Sequence, residues 1–238
     1  MKTILITGAS GGIGAEIAKT LAKKSNNLIL VYNNHKPNIA EFKTRCCVDL
    51  FQCDLTNTDA IKNMVDKIIK KHKKIDVLIN CAGISKFQQI QDSTDKDFYD
   101  IINNNLKSTI MFTAAVSKHM ISEQYGKIVN ISSMWGKVGA SMESLYSASK
   151  GAINTFTLAL AKELGPSNIN VNAICPGLID TKMNNNLSKE TIQEIVDNTP
   201  IGRIGKAKYV ASLTEFLISD KADFITGQII SVDGGFSL

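Results

Sequence analysis

The chain has 238 residues, 44% hydrophobic, 21% charged and 6% aromatic, with a formal net charge of +5. These ordinary globular proportions exclude a disordered, fibrous or disulfide-stapled chain. The positive charge is scattered, and its densest run, KIIKKHKK at 67–74, reads as the polar face and end of one helix; nucleic-acid binding, which wants a basic patch interleaved with aromatics, is therefore not expected.

In chain order, short apolar segments rich in Ile, Val and Leu alternate with stretches of helical period. The strand-like segments are TILIT (3–7), LILVY (28–32), VDLFQC (48–53), DVLIN (76–80), KIVNIS (127–132), INVNAIC (169–175) and QIISV (228–232). Between them lie GIGAEIAKTLAKK, DAIKNMVDKIIKKH and ESLYSASKGAINTFTLALAKEL. Such alternation implies βαβ units. The fold class is α/β: a single-domain Rossmann fold over 1–238, a doubly wound parallel seven-stranded sheet with helices on both faces. Two connections are irregular. Residues 33–47 leave room for only a brief helix after Pro37. Residues 176–206 are too long for a simple loop and carry an amphipathic piece near 188–197, so they are expected to form a substrate lid.

The five cysteines, Cys46, Cys47, Cys53, Cys81 and Cys175, follow no metal-ligand spacing, and an odd number gives no disulfide framework. The start, MKTILITGAS, reads as a strand and glycine turn rather than a signal peptide. No apolar run approaches the ~18 residues of a membrane span. The expected setting is a reducing cytoplasm, with no metal and no membrane partner.

The first turn, within LITGASGGIGAEIAKTLA, is the first functional signal. Gly8, Gly12 and Gly14 allow a tight turn, close approach to a pyrophosphate, and packing of helix on strand, while the helix start favours the anion. In such sheets ligands sit beyond the carboxyl ends of the strands. Asp54, after the third strand, is therefore expected to accept a hydrogen bond from adenine, and Asn80, Ala82 and Gly83, after the fourth, to border the ribose. The second strand ends in Tyr32, followed by Asn33, Asn34, His35 and Lys36. No acid stands where a ribose 2′-hydroxyl partner belongs, so NADP(H) is preferred over NAD(H), which stays possible.

One further pair stands out. Tyr146 and Lys150 in SLYSASKGAINTF are four residues apart, on one face of a helix. Together with T-G-x-x-x-G-x-G (Thr7 to Gly14), Asp54, the N-x-A-G turn (Asn80 to Gly83), Asn105 of NNNL, Ser133 of NISS and the Pro176–Gly177 turn, they make the chain resemble the short-chain dehydrogenase/reductase family along its whole length. The resemblance implies a catalytic group of Asn105, Ser133, Tyr146 and Lys150. Tyr146 is then the general acid/base. Lys150 lowers its pKa and holds the nicotinamide ribose, Ser133 positions the substrate oxygen, and Asn105 holds a water linking Lys150 to solvent. The register leaves Asn103, Asn104 and Ser132 as neighbouring alternatives. The resemblance also implies cofactor contacts from Ser10, Ile13, Asn33 and Leu55, from Tyr146 and Lys150 themselves, and from Pro176, Gly177, Ile179 and Thr181. Two residues depart from the family pattern: Cys81 replaces a second Asn, implying one lost structural hydrogen bond, and Gly11 stands where many NADP-dependent relatives carry Arg.

Within the family the nearest broad resemblance is to 3-oxoacyl-acyl-carrier-protein reductases of fatty acid synthesis. The arginines by which they dock an acidic carrier are replaced by Glu123, Gln124 and Ser167. A narrower resemblance, in SSMWGKVGASMESLYSASKGA, is to elongation factor P 5-aminopentanone reductases. There Glu143 can pair with a substrate ammonium, the alternative being that Trp135 packs under the lid and Glu143 caps the helix. Either way the substrate is a ketone on a protein-tethered arm. A non-enzymatic NADP-binding sensor or scaffold would be expected to lack one of the four catalytic residues, and none is missing. The C-terminal ITGQIISVDGGFSL resembles the segment through which relatives build tetramers, which implies a homotetramer, with a dimer as the alternative.

Overall fold

The computed structural model describes residues 1–184 and 187–238. Its elements run β1 (Lys2–Thr7), α1 (Gly12–Leu21), β2 (Asn26–Tyr32), β3 (Cys47–Gln52), α2 (Thr58–His72), β4 (Val77–Asn80), α3 (Asp95–Ile101) and α4 (Ser108–Glu123). They continue with β5 (Gly126–Ile131), α5 (Trp135–Val138), α6 (Ser144–Leu164), β6 (Ile169–Pro176), α7 (Lys189–Asp197), α8 (Ala207–Leu217) and β7 (Ile229–Val232). A π-helical turn, Ile102–Lys107, joins α3 to α4. Each strand lies within two residues of its sequence-expected place.

All seven strands are parallel, in the order β3-β2-β1-β4-β5-β6-β7. Burial on both faces explains the near-continuous apolar runs. Period-two alternation divides those runs between two cores. Ile4, Ile6, Leu28, Leu30 and Ile79 pack with Ile17 and Leu21 of α1 and Val210 and Leu217 of α8. Leu5, Ile29, Val31 and Leu78 pack on the other face with Ile61 and Ile68 of α2, Phe112 and Val116 of α4, and Leu160 of α6. Each such fully buried side chain contributes roughly 1.5–3 kcal/mol.

Local signals set the helix ends. Asn57 caps α2 by accepting from the N–H groups of Asp59 and Ala60, and Lys73 ends it in the left-handed region. Thr94 and Asp97 form a reciprocal capping box at α3, satisfying donors the helix cannot pair internally. The brief helix expected after Pro37 is absent: residues 40–46 form only turns and a bend. Phe42 is driven into the α1-side core, and its N–H and that of Lys43 both turn back to the Ile39 carbonyl; anchoring one side chain needs only a turn.

The topology also positions the site. From β1 the chain moves outward to β2 and β3, then returns to the other side of β1 for β4. The carboxyl ends of β1 and β4 therefore flank a crevice at the point where strand order reverses.

Candidate active site

At that crevice the Thr7 hydroxyl accepts from the N–H groups of Cys81 (3.1 Å) and Ala82 (3.2 Å), locking the two loops together. Gly8 has φ +66°, and a Cβ there would lie 2.7 Å from the Ala82 Cα. A Cβ on Gly14 would lie 2.2 Å from the Gly8 carbonyl oxygen. Only glycine fits at either position. α1 then begins with no side-chain cap at Gly11 and no acidic residue in its first turn, so its leading N–H groups and positive dipole end suit a pyrophosphate. The residues present thus fit a dinucleotide.

The other cofactor candidates sit around the same edge. Ser10 is exposed and Ile13 half-buried at the start of α1. Thr181, in the segment after β6, reaches α1: a Cβ on Gly12 would meet its Cγ2 at 2.6 Å. Pro176 and Ile179 are buried beneath it, and the Gly177 N–H donates to the Val232 carbonyl at 3.0 Å. Asp54 is exposed above buried Leu55 and folds its carboxylate onto the N–H and hydroxyl of Thr56. Asn33 is exposed after β2. Asn80 ends β4 at this edge. Its carboxamide does not border the crevice; it is buried, donating to Thr113 Oγ1 (3.0 Å) and Asn130 Oδ1 (2.9 Å). Asn130 in turn donates to Thr157 Oγ1 (2.9 Å), so the amide ladder ties β4 and β5 to α4 and α6.

Ser133, Tyr146 and Lys150 converge beside this crevice. β5 ends at Ile131, and buried Ser133 follows it. The phenol of Tyr146 and the ammonium of Lys150 come from consecutive turns of α6, with Nζ 5.7 Å from the Tyr146 ring centre. Lys150 is 4% exposed, and its Nζ donates to the Ile131 carbonyl at 2.9 Å. Gly136 lets α5 press on α6, since a Cβ there would sit 2.7 Å from the Lys150 carbonyl carbon. Ser132, the register alternative to Ser133, is turned away and donates to the Lys150 carbonyl at 3.0 Å.

Asn105 lies in the π-helical turn and is fully buried. Its carboxamide pairs with the Ile84 backbone in both directions, accepting at 2.8 Å and donating at 2.9 Å, and also donates to Ser149 Oγ at 3.0 Å. The extra residue of a π turn, a feature frequent at functional sites, aims this side chain inward. Asn104 instead donates back to the Asp100 carbonyl within its own helix. A Cβ on Gly83 would lie 3.2 Å from Asn105 Oδ1 and 3.4 Å from Lys150 Nζ, so that glycine leaves both groups room.

Burial dominates the electrostatics. Desolvation raises the pKa of Tyr146, opposed by contact with the Ser133 hydroxyl and reinforced by repulsion from Glu143. Desolvation also lowers Lys150 from 10.5 to about 8 and pushes the Cys81 thiol up to about 12. Both the phenol and the ammonium are thereby biased towards their neutral forms.

Sequence reasoning did not single out Ser149, the Ile84 backbone, the Ile131 carbonyl or Ser85, whose hydroxyl donates to Glu143 at 2.7 Å. Backbone partners carry no residue-type signal, and a lone serine in a loop carries little. Glu143 occupies the N-cap position of α6 but makes no side-chain cap bond. Trp135 stacks edge-on against Phe236 of the C-terminal segment, centroids 5.2 Å apart.

A glycine cradle at the strand-order reversal, joined to a serine, a tyrosine and a lysine on one edge, defines an NAD(P)-dependent oxidoreductase. The family model described as enoyl-(acyl carrier protein) reductase matches residues 8–237. An uncharacterised oxidoreductase of Bacillus subtilis, YmfI, is 41% identical over 99% of this chain and 98% of its own. The 3-oxoacyl-[acyl-carrier-protein] reductase FabG of Thermotoga maritima is 36% identical over 98% and 97%. The crystal structure of a protein of Agrobacterium tumefaciens assigned as a gluconate dehydrogenase superposes with a TM-score of 0.94 at 31% identity, covering 99% of this chain and 96% of that one. The chain belongs to the short-chain dehydrogenase/reductase family.

Proposed function

We propose that this protein is an NADPH-dependent carbonyl reductase that converts a ketone to a secondary alcohol through Ser133, Tyr146, Lys150 and Asn105. The observation that carries the reading is the convergence of the first three beside the glycine cradle at the carboxyl edge of the sheet. The loop Gly8–Gly14 would hold the cofactor, which when bound would supply the hydride. The Ser133 hydroxyl donates to the ketone oxygen and fixes its position. Tyr146, held neutral by burial, is the acid that protonates that oxygen as negative charge develops. Lys150 stabilises the phenolate so formed by its positive charge and, with Asn105, supports proton resupply. The lack of an acid after β2, with His35 and Lys36 exposed there, supports NADPH over NADH.

The substrate reading is a 3-oxoacyl group on an acyl carrier protein, supported by the likeness to the Thermotoga FabG. A second reading, the aminopentanone group on a modified lysine of elongation factor P, is favoured by one observation: the Glu143 carboxylate is free of helix capping. The segments where docking arginines are missing, 122–127 and 164–170, meet through the Asn168 side chain and the Gln124 carbonyl. They lead into the amino ends of β5 and β6, whereas Ser133 follows β5, a strand roughly 20 Å long. A carrier docked there would not face the active site of the same protomer. We further propose a cytoplasmic homotetramer; Phe216 and Phe224, exposed near edge strand β7, supply apolar surface for it. No helix among the described residues is long and apolar enough to cross a membrane.

The test is steady-state oxidation of NADPH and, in parallel, NADH against acetoacetyl-CoA, with Tyr146→Phe as control. Turnover with NADPH that the variant abolishes supports both the residues and the fatty-acid reading. Turnover with NADH alone overturns the cofactor preference. Tight cofactor binding with scarcely any thioester reduction shifts the substrate to the aminopentanone.

A further inference from the structure

A cavity of about 380 Å³ opens between α7, the start of α8 and the turn that follows β7. None of Asn105, Ser133, Tyr146 and Lys150 lines it. Its walls are mostly aliphatic, from Leu178, Ile195, Val196, Ile201 and Ile204, with the ring of Tyr209. A cavity of this size suits a small-molecule ligand. Backbone contacts hold the walls in place. The Gly205 N–H donates to the Leu178 carbonyl at 2.8 Å, the Asp180 N–H to the Gly205 carbonyl at 3.0 Å, and the Ile201 N–H to the Gly234 carbonyl at 3.2 Å. Gly234, at φ +69°, lets the turn after β7 close on Thr199, since a Cβ there would lie 2.7 Å from Thr199 Cγ2. Such a preformed site lowers the ordering cost of binding.

Two charged side chains line the cavity, Asp233 and Arg203, and their situations differ. Asp233 is engaged within its own turn: Oδ1 accepts from the Gly235 N–H at 3.0 Å, and Oδ2 from the N–H (3.0 Å) and the hydroxyl (2.6 Å) of Ser237. Arg203 is exposed and lies over the Tyr209 ring, with Cζ 5.2 Å from its centre. Its guanidinium donates to the Ile204 carbonyl at a long 3.3 Å, which leaves most of the fork unused. The Lys208 ammonium stands 5.4 Å from the centre of the same ring. Neither cation belongs to an ion pair among the described residues. Two like charges held on one ring repel each other, and an anion against Arg203 offsets that repulsion.

We propose that this cavity binds a monocarboxylate with a compact apolar body, the carboxylate on Arg203 and the body against the aliphatic walls, and that filling it ties α7 to the turn after β7. A guanidinium fork matches a carboxylate with two parallel hydrogen bonds. Apolar walls offer nothing to a second charge, and the Asp233 carboxylate disfavours a polyanion, so a single acid group on a hydrocarbon body is the ligand that fits. The site also touches a natural reporter. Phe236, which follows wall residue Gly235, makes the edge-on contact with Trp135, the chain's single tryptophan.

The test titrates the full chain with octanoate, and with 1-octanol as the uncharged control, while Trp135 fluorescence and amide hydrogen exchange are followed. Octanoate is expected to give a saturable fluorescence change and to slow exchange in α7, with octanol binding roughly tenfold more weakly, the scale of one charge-assisted contact. Arg203→Gln removes that difference by weakening octanoate roughly tenfold. Val196→Phe, which fills the cavity, weakens both ligands; should it fail to fold, the exposed position of Arg203 keeps the test intact. Tyr146→Phe leaves octanoate binding unchanged, which separates this cavity from the catalytic group. No saturable change, equal affinity for the two ligands, unchanged affinity in Arg203→Gln, loss of binding in Tyr146→Phe, or exchange in α7 that ignores octanoate overturns the proposal. Neither readout needs turnover, so failure of the reductase reading leaves this site untouched.

Discussion

Replacing Lys150 with methionine should stabilise the fold while destroying activity. Lys150 is 4% exposed, so water screens its charge little, and burial takes its pKa from 10.5 to about 8. At ~1.4 kcal/mol per pKa unit, holding that ammonium charged at pH 7 costs about 3 kcal/mol. Methionine is similar in length and removes the charge, but leaves the Ile131 carbonyl without its donor, a loss of about 1 kcal/mol. The net gain is ~2 kcal/mol, or roughly 4–8 °C in Tm for a chain of this size. The sign with pH is fixed by linkage. The unfolded chain binds the proton more tightly, so the wild-type deficit is complete below pH 8, shrinks as pH rises from 8 to 10.5, and is gone above. Urea unfolding of both proteins at pH 7 and pH 10.5 measures this directly. The variant is expected to be the more stable at pH 7 and equal or slightly weaker at pH 10.5. A variant less stable at pH 7, or a difference that ignores pH, would refute the assignment of Lys150 as a buried charge held at the fold's expense.

Other perturbations test other layers. Gly14→Ala forces a methyl into a site 2.2 Å from the Gly8 carbonyl oxygen; a loss of about 3 kcal/mol and of dinucleotide binding is expected by urea unfolding and cofactor titration, and unchanged binding would disprove the tight loop. Asn130→Leu removes the acceptor for Asn80 and the donor to Thr157, which should cost about 3 kcal/mol through buried groups left unpaired; a neutral effect on the urea midpoint would mean the amide ladder is not what joins strands to helices. Met142→Gly relieves a left-handed side chain and is expected to stabilise by ~0.5 kcal/mol after the entropy cost of glycine; a clear loss of stability would show that the Met142 side chain, not its backbone, matters.

The legible parts of this protein were those where chemistry ties residue type to spacing. The parallel sheet follows from strands apolar on both faces, as in β1, where only Lys2 escapes full burial. The glycine turn is readable because Gly8 and Gly14 admit no side chain. Tyr146 and Lys150 are readable because a helix fixes the angle between residues four apart. For Asn80 the end of a strand is visible in sequence, but the side to which its last side chain points is not. It turns into the core because Thr113 and Asn130 wait there. The segment after Pro37 was misjudged because a turn that buries only Phe42 has no period to detect. For Glu143 the sequence left capping and ion pairing open, since both place an acid just before a helix; the left-handed Met142 carries the chain into α6, and no side-chain cap forms.

The active site and the fold make opposing demands on the same atoms. Burial raises Tyr146 and lowers Lys150, so the fold alone prefers a neutral pair. Proton donation to a ketone strains against both, because a phenol with a raised pKa gives up its proton less readily and a neutral lysine cannot stabilise the departing phenolate. The hydrogen bond to the Ile131 carbonyl and the room left by Gly83 beside Asn105 address this by satisfying the ammonium without a carboxylate, which would neutralise it. A carboxylate near the phenol, Glu143, is held by the Ser85 hydroxyl at 2.7 Å and opposes ionisation of Tyr146 by repulsion. Two charges of opposite sign thus act on one phenol, the ammonium of Lys150 favouring its ionised form and the carboxylate of Glu143 its neutral form.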